Sequence, residues 1–113
     1  MIIGITARAE GTSAPVEQRF GRAPYFVFVD TETGKSESIK NPLVDAAGGV
    51  GPRAVQMLAE HGATVVITGQ VGGNAAKALE AGGIKAYAYR GSGSVADALA
   101  EHTAGNLQPL PLA

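Results

Sequence analysis

The chain predicts a single α/β domain over residues 1–113, with a five-stranded mixed sheet and helices on both faces, and three stretches carry that expectation. Thr64 to Tyr89 reads as strand, helix, strand. Val65, Val66 and Ile67 are a short apolar run ending at Gly69, as in a strand buried on both faces, and Ala75, Ala78 and Leu79 follow at helical spacing. Ile84 to Tyr89 then alternates, with Ala86 and Ala88 on one side and Tyr87 and Tyr89 on the other. A crossover this short returns a parallel neighbour with right-handed connectivity. Ile2 to Ala7, IIGITA, is a second apolar run suited to a central strand. Tyr25 to Asp30, YFVFVD, is followed by a turn over Thr31 to Lys35 and by the polar Ser36 to Lys40, a hairpin whose outer strand suits an edge.

In chain order, Gly4 in the first strand leaves room for another element to approach. Arg8 to Pro24 has neither helical nor alternating pattern and is broken by Gly11, Pro15, Gly21 and Pro24. It reads as a long functional loop, with the highest mobility expected between Glu10 and Phe20 and Phe20 as its anchor. After Asn41-Pro42, Leu43 to Gly51 is a second glycine-rich loop. Pro52 fits the first position of a helix whose stripe is Ala54, Val55, Leu58 and Ala59, closing at Gly62. A second helix runs from Asn74 to Ala81 and is stopped by Gly82 and Gly83. Ser94 with Asp97 has capping-box spacing before the stripe Val95, Ala98 and Leu99. Residues 106–113 read as a packed or frayed tail. If the first three strands meander and the last two run parallel to the first, the order is 3-2-1-4-5 with strand two alone antiparallel. That is the ribonuclease-H-like arrangement.

The formal net charge of -1 argues against general nucleic-acid or membrane-surface affinity. Cysteine is absent, which excludes disulfides, thiolate nucleophiles and metal sites held by the chain's own thiolates. Neither a signal peptide nor a membrane span is visible, and a cytoplasmic protein is the expectation.

The topology brings Arg8 to Pro24, Leu43 to Gly51, Gly69 to Gly73 and Arg90 to Ser94 to one edge, outside the carboxyl ends of the parallel strands. Three helix N-termini are expected there, entered through glycines. Their unpaired N–H groups and dipoles favour an anion by roughly 0.3–1 kcal/mol each when exposed. Arg8, Arg19, Arg22 and Arg90 lie in or beside these loops and can add charge-assisted bonds. Glycine-rich turns are also common for backbone reasons alone, and GQVGGN matches neither the P-loop nor the dinucleotide fingerprint. The convergence of several such turns is what favours a ligand.

Other chemistries find less support. His61 and His102 both fall near helix C-termini, where an imidazolium complements the dipole, and neither has a partner at metal-ligand spacing. A two-metal nuclease of this fold needs a carboxylate on its first strand, and Ile2 to Ala7 has none. Thr12, Ser13 and Ser94 have no nearby base in sequence for a hydrolytic triad.

RFGRAPYFVFVD (Arg19 to Asp30), the stretch from Asn41 to Tyr89 and SVADALAEHTAGNLQPL (Ser94 to Leu110) resemble the dinitrogenase iron-molybdenum cofactor biosynthesis family. Its small NifX-type members also occur as the C-terminal domain of NifB-type proteins. The most specific pieces are Phe-Gly-Arg-Ala before an aromatic strand, Gly-Xaa-Gly leading into the first helix and Gly-Gly-Asn-Ala leading into the second. The resemblance implies a non-enzymatic module that binds or carries an iron-sulfur or iron-molybdenum cofactor or its precursor, in company with cofactor-biosynthesis proteins. Nitrogenase-associated members often place a histidine before the Phe-Gly pair, whereas this chain has Arg19 there. The residues expected to hold the cluster are Arg8, Arg19, Phe20, Gly21, Arg22, Gly49, Gly51, Gly72, Gly73 and Asn74, with no protein metal ligand. The alternative is a regulatory or scaffold domain that binds a small anion, such as a nucleotide or phosphate metabolite, at the same edge.

Overall fold

The computed structural model describes residues 1–42 and 50–111, with only the backbone of Val50. Its elements are β1 (Ile2–Ala7), a 3-10 turn (Phe20–Arg22), β2 (Tyr25–Asp30), β3 (Ser36–Lys40), α1 (Val50–Glu60), β4 (Ala63–Thr68), α2 (Gly73–Ala81), β5 (Lys85–Ala88), α3 (Val95–Thr103) and β6 (Gln108–Pro109). α1 starts two residues before Pro52, which sits in the first turn where its missing N–H has no intrahelical partner to lose.

The sheet order is β3-β2-β1-β4-β5-β6. The expected 3-2-1-4-5 order is therefore present, but within six strands rather than five. β2 runs antiparallel to β1 and β3, while β1, β4 and β5 are mutually parallel. β6 pairs antiparallel with β5, Tyr87 opposite Pro109 and Ala88 opposite Gln108, so β2 is not alone in its direction. The segment expected to be a tail thus forms an edge. The Leu110 N–H donates to the Ala86 carbonyl at 2.8 Å, and Leu107 and Leu110 pack on opposite faces of the sheet. Pro109, with no N–H to offer a further strand, suits that edge.

Side-chain alternation divides the core into two layers. Phe26, Phe28, Val66 and Ala86 face α1 and α2 through Ala54, Val55, Leu58, Ala75 and Leu79. Ile3, Ile5, Val27, Val29, Val65 and Ile67 face α3 through Val95 and Ala98. Helices therefore cover both faces. Gly4 has the expected use, since a Cβ there would lie 2.7 Å from Leu58 Cδ2 and 3.3 Å from Phe28 Cε1. Ser94 and Asp97 form the reciprocal capping box of α3.

The long loop after β1 is not the structureless segment expected from its pattern. Ala14, Val16, Phe20 and Ala23 are buried, and the backbone is tied to three neighbours. Arg8 N–H donates to Pro15 O, Glu17 N–H to Thr6 O, and both Gly69 and Gln70 N–H to Gln18 O. Val16 N–H donates to Gly93 O, while Val95 and Ala96 N–H donate to Ala14 and Thr12 carbonyls. These bonds satisfy otherwise orphaned strand-end and helix-start groups, which gives the loop order without periodicity.

Candidate functional site

The site is assembled where the loop after β1 meets the first turns of α1 and α2. Phe20 is 2% exposed and packs edge-on against Phe26, with ring centroids 5.8 Å apart, so the 3-10 turn is anchored in the core by its first residue. Arg19 pairs as a single parallel rung with Gln70, and Phe20 N–H donates to Gln70 O at 3.2 Å. A Cβ on Gly69 would lie 2.8 Å from Gln18 Cα, so a side chain there would push the two loops apart. That glycine holds the rim closed.

Between these loops lies an open cleft of about 470 Å³ lined by Arg19, Phe20, Gly21, Arg22, Gly51, Pro52, Gln70, Val71, Gly72, Gly73, Asn74 and Ala75. The first turn of α2 supplies its floor. Gly72 is the N-cap and has no side chain to cap the helix, and among the described residues the N–H groups of Gly73, Asn74 and Ala75 meet no protein acceptor. Three donors and the positive end of a helix thus remain for a ligand, beneath Arg19 and Arg22.

The glycines of this floor are not there for backbone reasons. Gly72 has φ -71° and ψ 164°, open to any residue, and neither it nor Gly73 is among the positive-φ glycines. A Cβ at Gly72 or Gly73 would meet nothing within 4 Å. What the missing side chains leave is bare backbone facing solvent.

Eight of the ten expected residues come together: Arg19, Phe20, Gly21, Arg22, Gly51, Gly72, Gly73 and Asn74. Phe20 contributes as an anchor of the wall rather than a polar contact. Gly49 lies outside the described residues. Arg8 does not join them but lines a second cleft of about 320 Å³ with Pro15, Val16, Gln18, Arg90, Gly91 and Ser92. The edge is divided because Thr12 to Val16 docks on the start of α3. The Val95, Ala96 and Asp97 amides are taken by Ala14 O, Thr12 O and Ser94 Oγ, so the third helix N-terminus is filled by the protein itself.

Glu17 and Gln70 are not among the residues expected to hold the cluster. Glu17 is 7% exposed, its Oε2 accepts the Arg19 N–H at 3.0 Å, and it lies 3.5 Å from Arg19 Nε and 3.8 Å (Oε1) from Arg8 Nε. The Glu-Xaa-Arg spacing of residues 17–19 was its one trace in the sequence. Both histidines sit on aromatic rings instead: His61 stacks on Phe28 with centroids 4.6 Å apart, and His102 meets Tyr87 edge-on at 4.9 Å. Among the described residues no group of three or more His, Cys, Asp or Glu could hold a metal ion, and no helix is long and apolar enough to cross a membrane.

Comparison with known proteins places this geometry. The signature of the family described as dinitrogenase iron-molybdenum cofactor matches residues 1–105. The apo form of the orange protein from Desulfovibrio gigas superposes with a TM-score of 0.91 at 36% identity, over 97% of this chain and 96% of that one. An NMR structure of a candidate NifB protein from Thermotoga gives a TM-score of 0.86 at 37% identity, over 96% and 92% of the two chains. A dinitrogenase candidate from Methanocaldococcus jannaschii, 15% identical with a TM-score of 0.70 over 97% and 94%, shares the fold alone. No curated protein sequence matches the chain.

Proposed function

The chain belongs to the dinitrogenase iron-molybdenum cofactor family, and from that premise we propose that it is a non-enzymatic carrier that holds an iron-sulfur or iron-molybdenum cluster, or its precursor, in the cleft over the first turn of α2. One observation carries the reading: three amides of α2 that meet no acceptor among the described residues, at glycines with open space around them, lie at a cleft edged by Arg19 and Arg22. Polyanionic clusters with outward sulfide and acid groups match such donors. The donor set also sets the mode of binding. With no cysteine in the chain and both histidines against aromatic rings, the cluster is cargo that keeps its own ligands. The protein supplies hydrogen bonds and charge at its surface. We infer a ribonuclease-H-like arrangement from the β3-β2-β1-β4-β5 order, extended by β6, and cofactor-biosynthesis proteins are the expected donors and acceptors of the cargo.

Anaerobic titration with a water-soluble, thiolate-capped iron-sulfur cluster, followed by calorimetry and absorption, tests this. Saturable binding that Arg22→Ala weakens is expected. A wild-type protein that ignores the cluster but binds ATP or inorganic phosphate through the same residues would replace the carrier by a small-anion regulatory domain.

A further inference from the structure

Glu17 is the one buried charged side chain among the described residues, and the cleft as described does not use it. Its backbone is clamped by Thr6, whose carbonyl accepts the Glu17 N–H at 2.9 Å and whose hydroxyl donates to the Glu17 carbonyl at 2.6 Å. The backbone from which the carboxylate projects is thus fixed by β1. Two arginines reach the carboxylate, each by Nε and each nearest a different oxygen, Arg19 at Oε2 and Arg8 at Oε1. Their side chains are otherwise largely in solvent, at 63% and 60% exposure. An Nε-side contact leaves the terminal Nη pair of a guanidinium available to a ligand. Arg19 lines the first cleft and Arg8 the second.

We propose that Glu17 is a positioning residue shared by Arg19 and Arg8, and that Arg8 acts on the cleft through it. This rests on the reading of the cleft as an anion site. A carboxylate divided between two cations neutralises neither fully. If Arg8 is removed, both oxygens turn to Arg19, and an anion in the cleft must compete with a counter-ion that has no other partner. Arg8 therefore raises the affinity of a site it does not line.

A double-mutant cycle of Arg8→Gln and Glu17→Gln isolates this link, with the thiolate-capped iron-sulfur cluster as ligand at 150 mM salt. The loss of one distant positive charge is common to both backgrounds and cancels in the cycle. Arg8→Gln is expected to weaken binding roughly three- to tenfold in the wild-type background, and by less than about twofold once Glu17 is Gln. Equal losses in both backgrounds would overturn the proposal. A ligand-free readout keeps this separate from the carrier reading: exchange of the Arg19 Nε–H with water, measured by nitrogen-15 NMR. It should slow in Arg8→Gln and speed up about fivefold or more in Glu17→Gln. Unchanged exchange in Glu17→Gln would refute the shared carboxylate even if the cluster binds. If the cluster fails to bind wild-type protein, the carrier reading falls and the exchange measurement alone decides the pairing.

Discussion

A methyl group on Gly51 would lie 2.8 Å from the Cβ of Ala75, so the first turns of α1 and α2 touch through a glycine. That contact sets the positive ends of two helices side by side at the cleft. A larger residue would have to part them against a core that includes Ala54, Leu58 and Leu79. Gly51→Val should cost about 1–3 kcal/mol of stability in urea unfolding, the usual range for overpacking. It should also weaken anion binding beyond what the stability loss explains. Unchanged stability would mean that the helices separate freely and that their close approach does not shape the site.

Gly72→Val is the contrasting substitution. The position has open space and an extended backbone, so the variant should unfold within about 0.5 kcal/mol of wild type, or later if the unfolded chain is stiffened. Cluster binding should nevertheless fall sharply, because the side chain covers the first-turn amides of α2. A stable variant with full affinity would remove the helix start from the site.

The arginines of the cleft should each matter more than either histidine. Arg19→Ala and Arg22→Ala are expected to lose about 1.5–3 kcal/mol of cluster binding, the range for charge-assisted bonds. His61→Ala and His102→Ala should leave affinity within a factor of about two, since their rings rest on Phe28 and Tyr87. Calorimetric titration of the four variants decides between guanidinium recognition and imidazole ligation.

The sheet was legible because Ile2–Ala7, Tyr25–Asp30 and Ala63–Thr68 carry the composition of half-buried and fully buried strands, and Tyr87 in β5 with Tyr89 just after it marks the face toward α3. β6 was not, because two residues, one of them Pro109, are too few to show a period; its place is set by backbone bonds to β5. The loop after β1 hid a short alternation. Ala14 and Val16 are buried while Ser13 and Pro15 are exposed, but proline breaks the strand pattern there. Pooling all four arginines at one edge failed for the same reason: nothing in the pattern showed that this loop would fill the start of α3.

The packing of this loop predicts low mobility, against the expectation from its pattern. The Glu17 and Val16 amides are bonded to Thr6 and Gly93 carbonyls, and Phe20 is a core residue. Hydrogen exchange at these two amides should be protected in the ligand-free protein, with opening free energies well above those of exposed loop amides. Phe20→Ala should cost about 3–5 kcal/mol and abolish that protection. Fast exchange of Glu17 in the wild type would restore a loop ordered only by ligand.

Thr6 and Thr68 connect the core to the site, and the two should respond differently to loss of the hydroxyl. Their oxygens are 2.8 Å apart in a fully buried position between β1 and β4. A hydroxyl has one proton, and Thr6 gives its own to the Glu17 carbonyl, so Thr68 is the donor between the two threonines. Thr6→Val strands both the Glu17 carbonyl and the Thr68 hydroxyl, whereas Thr68→Val removes a donor and leaves Thr6 bonded to Glu17. Leaving buried groups unpaired costs about 1–3 kcal/mol, while losing one bond with an apolar replacement of the same shape costs about 1 kcal/mol or less. Thr6→Val should therefore be the more destabilising and should also release Glu17, speeding exchange of the Arg19 amide that Glu17 accepts at 3.0 Å. Thr68→Val should leave that exchange unchanged. Equal effects of the two variants would mean that the hydroxyl pair serves only packing, and that the line from β1 through Glu17 to Arg19 does not transmit position to the cleft.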